Sequence, residues 1–194
     1  MVTLCKLTVV ATAIGCLAAL TVSIYPGWLN DLLNVAMLLG VFIFPVILIV
    51  IAIVVYIQYR RGNMRSVRVP WRYVTVTLAL LFFTYGALRL YVPLRIAFAS
   101  CRSTFQHIVD NGVADNHSFK RNIGPYVVDE CLVDARGGEY FRVYSGADGL
   151  GPDVTSYGFC HNPNREGSPF GAARYGTFRL GNGWYWFRAS DDWY

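Results

Sequence analysis

The chain's apolar residues fall into two patterns: long unbroken runs in the first half and short alternating stretches in the second. Leu7 to Tyr25 is apolar apart from threonine and serine, and Pro26-Gly27 ends it. Leu32 to Ile57 carries no charge at all, with Asn30 or Asp31 placed to cap its start and Pro45 placed to kink it. A third run extends from about Tyr73 to Val92, with Trp71 and Tyr73 at one end and Tyr91 near the other. A helix rises about 1.5 Å per residue, so roughly 20 apolar residues cross the ~30 Å hydrocarbon core of a bilayer. Each run is therefore predicted to be a membrane-spanning helix.

Beyond Pro93 the pattern changes. Leu94, Phe98, Cys101, Phe105 and Ile108 recur at helical spacing and Gly112 supplies a stop, which predicts an amphipathic helix over 94–112. That helix either lies at the membrane surface or covers the β-rich segment C-terminal to it. Strand signals come next: Tyr126 to Asp134, Glu139 to Tyr144, Thr155 to His161, and two runs, Tyr175 to Leu180 and Trp184 to Ala189, flanking the turn Gly181-Asn182-Gly183. The fold class expected from the pattern is three transmembrane helices followed by a small α+β domain with an antiparallel sheet. Its divisions are a membrane region over 1–93 (spans about 7–25, 32–57 and 73–92), the helix at 94–112, and a β-rich domain at 113–194.

Charge adds a direction to this layout. Residues 1–100 hold eight of the 17 basic residues and only Asp31 of the 12 acidic ones, whereas residues 101–194 hold nine bases against eleven acids. The net +5 therefore belongs to the apolar half, and it flanks apolar runs instead of clustering on a soluble face, so a nucleic-acid footprint is excluded. Five arginines, Arg60, Arg61, Arg65, Arg68 and Arg72, lie in the basic loop 58–72 without an acid among them. Basic loops resist translocation, so they determine topology: the N-terminus and this loop are expected in the cytoplasm, with anionic lipid headgroups against residues 60–72. Three crossings then place the C-terminal domain outside, in an inner or plasma membrane. Arg89 fits a snorkelling anchor at the end of the third run. Lys6 and the apolar run after it also fit a signal peptide, but no cleavage site is followed by polar sequence, so the first span is expected to be retained.

A small extracytoplasmic domain is often stapled, and Cys131 and Cys160 are the candidate disulfide. Cys101 falls on the apolar helix stripe and is expected to be a buried thiol. Chemistry is harder to find. The three histidines stand at 107, 117 and 161, with no metal-binding or nucleophile motif around them, so no cofactor is expected. Asp129, Glu130 and His161 are the residues that an envelope hydrolase would have to use. The aromatic run Trp184-Tyr185-Trp186-Phe187, with Trp193, supplies a candidate binding surface on Trp184, Tyr185, Trp186 and Trp193, since alternate strand residues face opposite ways.

The order of the apolar runs, the segment Pro93 to Arg102 and the later Tyr157-Gly158-Phe159-Cys160-His161-Asn162-Pro163 resemble an uncharacterised group of bacterial membrane-anchored proteins, over residues of about 70–165. The resemblance implies a bacterial envelope protein and no activity. The leading expectation is a multi-pass membrane protein that presents its small domain for binding or assembly with a membrane or envelope protein partner, without catalysis. The alternatives are the hydrolase and an accessory or sensor subunit of a larger membrane complex.

Overall fold

The computed structural model describes residues 2–25, 27, 57, 60, 71–112, 118–147 and 154–191. They form two compact units, which are described separately.

The helical unit contains α1 (Val2–Val22) and α2 (Trp71–Arg89). Cys16 is buried in this unit, with its Sγ 3.9 Å from the Leu80 carbonyl. Thr21 and Thr77 return their hydroxyls to the carbonyls of Leu17 and Tyr73 in their own helices, each at 2.9 Å. Large apolar side chains are left exposed on both helices: Leu7, Val10, Ile14 and Leu17 on α1; Val76, Leu78, Leu81, Phe82 and Phe83 on α2.

The expected three-span membrane region is not what the described chain forms. No single described helix is both long and apolar enough to cross a bilayer. The apolar part of α1 is Lys6–Val22, which at 1.5 Å per residue reaches only about 25 Å. Ile24 and Tyr25, assigned from sequence to the first span, have left the helix and belong to the second unit. The third run stops at Arg89; α2, with Arg72 and Arg89 at its ends, is apolar enough over a crossing length only when counted with the next helix, whose apolar stripe is spent on a protein core. Of the run 32–57, all but Ile57 lies outside the described residues. Which side of a membrane the domain occupies followed from an odd number of crossings, a premise these helices do not supply.

The second unit is a sheet-rich domain built on α3 (Val92–Asp110). Pro93 sits in the first turn of α3, where a missing N–H costs nothing. Seven strands come after it: β1 (Arg121–Ile123), β2 (Tyr126–Val128), β3 (Glu130–Val133), β4 (Glu139–Ala147), β5 (Val154–His161), β6 (Gly176–Gly181) and β7 (Trp184–Ala189). β1 and β2 make a small hairpin sheet; the other five pair antiparallel in the order β3-β4-β5-β7-β6. The β6–β7 hairpin turns at Asn182, which takes a left-handed φ of 50° between two glycines that share the positive-φ region.

Alternation places the side chains of the five-stranded sheet on two faces. Cys131, Phe141, Phe159 and Trp184 share one face and pack against Leu94, Phe98, Cys101 and Phe105 of α3. Phe98 stacks on Phe159 at 4.7 Å between centroids, and Phe105 lies within 6 Å of Phe141, Phe159 and Trp184. The other face carries Tyr140, Cys160, Phe187 and Ala189, covered by Phe170 and Tyr175 from the loop between β5 and β6. A strap from the N-terminal side completes the first core: Ile24 packs into it, its carbonyl accepts from the Tyr126 hydroxyl at 3.2 Å, and the Tyr25 hydroxyl donates to the Pro125 carbonyl at 2.9 Å.

This two-faced arrangement overturns the expected disulfide. Cys131 is paired with Phe141 and Cys160 with Tyr140, so the two cysteines sit on opposite faces with β4 between them. No disulfide joins them. Strands lie about 4.8 Å apart, so two strand spacings already exceed the reach of a disulfide, whose Cα atoms stand less than ~7 Å apart.

The loop covering the second face makes the domain sensitive to alkali. The Tyr140 and Tyr175 hydroxyls lie 3.1 Å apart, within reach of the Gly167 and Asn164 carbonyls. Burial pushes the Tyr140 hydroxyl up to about 12, and burial together with the Tyr140 contact raises Tyr175 further still. Unfolded tyrosine ionises near 10, so this contribution to stability is whole below pH ~10 and is lost as the pH climbs through 12. Titration followed at 295 nm is expected to show exposed tyrosines ionising first, the buried pair only with loss of near-ultraviolet dichroism. Uniform titration near pH 10 with intact dichroism would refute the packing of this loop.

Candidate functional site

The residues named from sequence do not converge. Trp184 is wholly buried: it lies in the first core and its Nε1 donates to Gln106 Oε1 of α3 at 2.9 Å. It anchors helix to sheet and offers no binding surface. Tyr185 points to the opposite face and packs half-buried beside Phe187. Trp193 lies outside the described residues, as do Arg61, Arg65 and Arg68 of the basic loop. Of the two described arginines of that loop, Arg72 stacks over the ring of Tyr73 at 4.8 Å.

The acidic candidates are held as structural ion pairs. Arg142 reaches Asp129 at 3.0 Å and Glu130 at 2.6 Å, both on the face away from α3. His161 lies on the α3 face, three pairs further along the β4–β5 ladder. Its Nδ1 is 3.2 Å from Glu139 Oε2, its Nε2 is 3.3 Å from the Asn162 amide, and its ring packs on Trp184 at 5.0 Å. Asp129 and Glu130 thus cannot share a reacting atom with His161. Among the described residues no group of three His, Cys, Asp or Glu side chains is placed to hold a metal ion. Burial pushes the Cys101 thiol up to about 11 and raises Cys160 strongly, so neither is a ready nucleophile at neutral pH.

What the fold does assemble is an aromatic cluster beside the start of α3. Tyr91 precedes the helix in a left-handed conformation (φ 54°), which turns its ring onto the sheet, 4.5 Å from Phe178 and 6.2 Å from Trp186. Tyr157 stands 6.1 Å from Trp186 and 6.2 Å from Tyr144. Two guanidinium groups border the rings: Arg95 over Phe178 at 4.9 Å and Arg188 over Tyr157 at 6.0 Å. The Trp186 indole N–H is buried and has no hydrogen-bond partner among the described residues. Such a donor costs about 1–3 kcal/mol while unsatisfied.

Of this cluster only Trp186 is named from the sequence as a binding residue; Tyr91 enters as an aromatic near the end of the third apolar run and Tyr157 within the segment 157–163. Tyr91, Tyr144, Tyr157 and Phe178 come from four separated segments, and their one local signal is that Tyr91 stands two residues before Pro93. Chemically the cluster offers flat π-faces, cationic edges and one N–H donor, with no nucleophile and no acid–base pair.

No protein-family model, curated protein or solved structure matches the chain, so the resemblance over residues of about 70–165 carries no assignment.

Proposed function

We propose that this protein is a non-catalytic binding or assembly module held at a membrane by its apolar helical unit, with the α+β domain presented at the surface. The observation that carries the reading is the exposure of large apolar side chains on α1 and α2: Leu17 is 66% exposed, Phe82 73% and Phe83 72%. Contiguous apolar surface of this kind is unfavourable in water and marks a lipid or protein contact. The absence of any acid between Asp31 and Asp110 favours an anionic lipid environment for the same stretch. The domain's contribution is the aromatic cluster around Trp186, whose N–H suits a carbonyl or other oxygen acceptor.

Introducing two charges into the apolar surface, as Phe82→Arg with Phe83→Arg, tests the reading. Each arginine in a hydrocarbon core costs about 2.5–3.5 kcal/mol. The doubly substituted chain is expected to lose at least tenfold in its membrane-bound to soluble ratio, measured by fractionation of expressing cells. Equal retention of the two proteins would count against lipid contact at this surface.

A further inference from the structure

We propose that the exposed first turns of α3, with Leu90 and Ile96, rest in the headgroup layer of an anionic bilayer, steadied by Arg95. This deepens the membrane reading above and rests on it.

α3 has two long sides with different fates. Leu94, Phe98, Cys101 and Phe105 are buried against the sheet, so the helix cannot rotate to hide its other side. That other side carries its exposed apolar residues near the start of the helix. Leu90, just before it, and Ile96 are 65% and 66% exposed, with Arg95 exposed between them and Ala99 after them. From there outward the exposed positions are Ser100, Ser103, Thr104, His107 and Asp110. A helix wholly in water has no reason to gather them there; one that enters an interface at its start and leaves it by its third turn does.

Charge follows the same direction. Arg95 is exposed at the apolar end, and the first acid of the helix is Asp110 at its far end. The Arg95 guanidinium lies over the Phe178 ring, so its stem is already ordered when a phosphate arrives. Tyr91, half-buried beside Phe178, adds the amphipathic ring that favours the headgroup level. A base and isolated large apolar side chains with no acid among them fit anionic lipid better than a protein surface.

The test uses the full chain reconstituted into vesicles of phosphatidylcholine with or without phosphatidylglycerol, in a Cys5→Ser background. A polarity-sensitive fluorophore is placed in turn at Phe82→Cys, Ile96→Cys and Ser103→Cys, and quenched by nitroxide-labelled lipid or by a water-soluble quencher. The labels at 82 and 96 are expected to be quenched several-fold by the nitroxide lipid and the label at 103 by the aqueous quencher. Arg95→Gln is expected to abolish the strengthening by phosphatidylglycerol at 96. A label at 96 as wet as that at 103, with 82 still in lipid, overturns this proposal alone. Shielding of 96 from both quenchers overturns it in favour of a protein partner. Failure of lipid quenching at 82 overturns the membrane reading, and this proposal with it.

Discussion

Replacing Phe105 by alanine is expected to cost the α+β domain about 3–5 kcal/mol of stability. Phe105 is wholly buried and lies within 6 Å, centroid to centroid, of Phe98, Phe141, Phe159 and Trp184. Its removal loses the transfer free energy of a phenyl ring and leaves a cavity walled by other rings, which are too rigid to collapse into it. The adjacent residue, Gln106, holds Trp184 Nε1, so a shift of α3 to fill the void would also strain that hydrogen bond. Small domains have about 5–15 kcal/mol in total, so this one change removes a large share. Chemical denaturation of the detergent-solubilised full chain, followed by tryptophan fluorescence, measures it; Ser103→Ala, on the exposed side of α3, is the control and is expected to change stability by less than about 0.5 kcal/mol.

Gly158→Ala is expected to destabilise the domain by about 3 kcal/mol through crowding, the reverse of a cavity. Gly158 lies in β5 opposite Arg142, beside the irregularity between Arg142 and Tyr144 that brings the β4 backbone close. A Cβ there would run into the Phe141 carbonyl oxygen, with the Phe141 carbonyl carbon at 2.9 Å and the Arg142 Cα at 3.0 Å. Those are backbone atoms, so no side chain can swing away, and the β4–β5 ladder must separate. Hydrogen exchange is expected to accelerate first at Phe141, Arg142 and Phe159. Gly176→Ala, with nothing near its would-be Cβ, should leave exchange unchanged.

The parts of this fold that could be read in the sequence are those specified locally. The 4-3-4 spacing of Leu94, Phe98, Cys101 and Phe105 announces a helix with one apolar side, and the structure buries those four residues. Gly181-Asn182-Gly183 announces the β6–β7 turn because positive φ is cheap for those residues. What could not be read depends on register. Whether Cys131 can meet Cys160 turns on the parity of two pairings through β4, which neither cysteine's neighbours reveal. β5 is buried on both faces from Thr155 to Cys160, so it shows no alternation from which a face could be assigned. Trp184 and Trp186 share a face, yet one lies under α3 and the other beyond its start, a difference set by where the helix begins.

The first and third membrane runs failed for another reason. Hydropathy reports that a stretch is apolar, and it says nothing about where a helix ends. Ile24 and Tyr25 are as apolar as the helix before them, and the sheet domain offers them Tyr126 and Pro125 as partners. The aromatic cluster around Trp186 stayed hidden because each ring arrives from a different segment and carries no signal alone.

An alkaline carbonate wash of membranes from cells expressing the full chain tests whether the apolar helical unit holds this domain at a membrane. The chain is expected to stay in the membrane pellet after the wash and to be released only by detergent. Recovery in the carbonate supernatant, together with peripheral proteins, would contradict it.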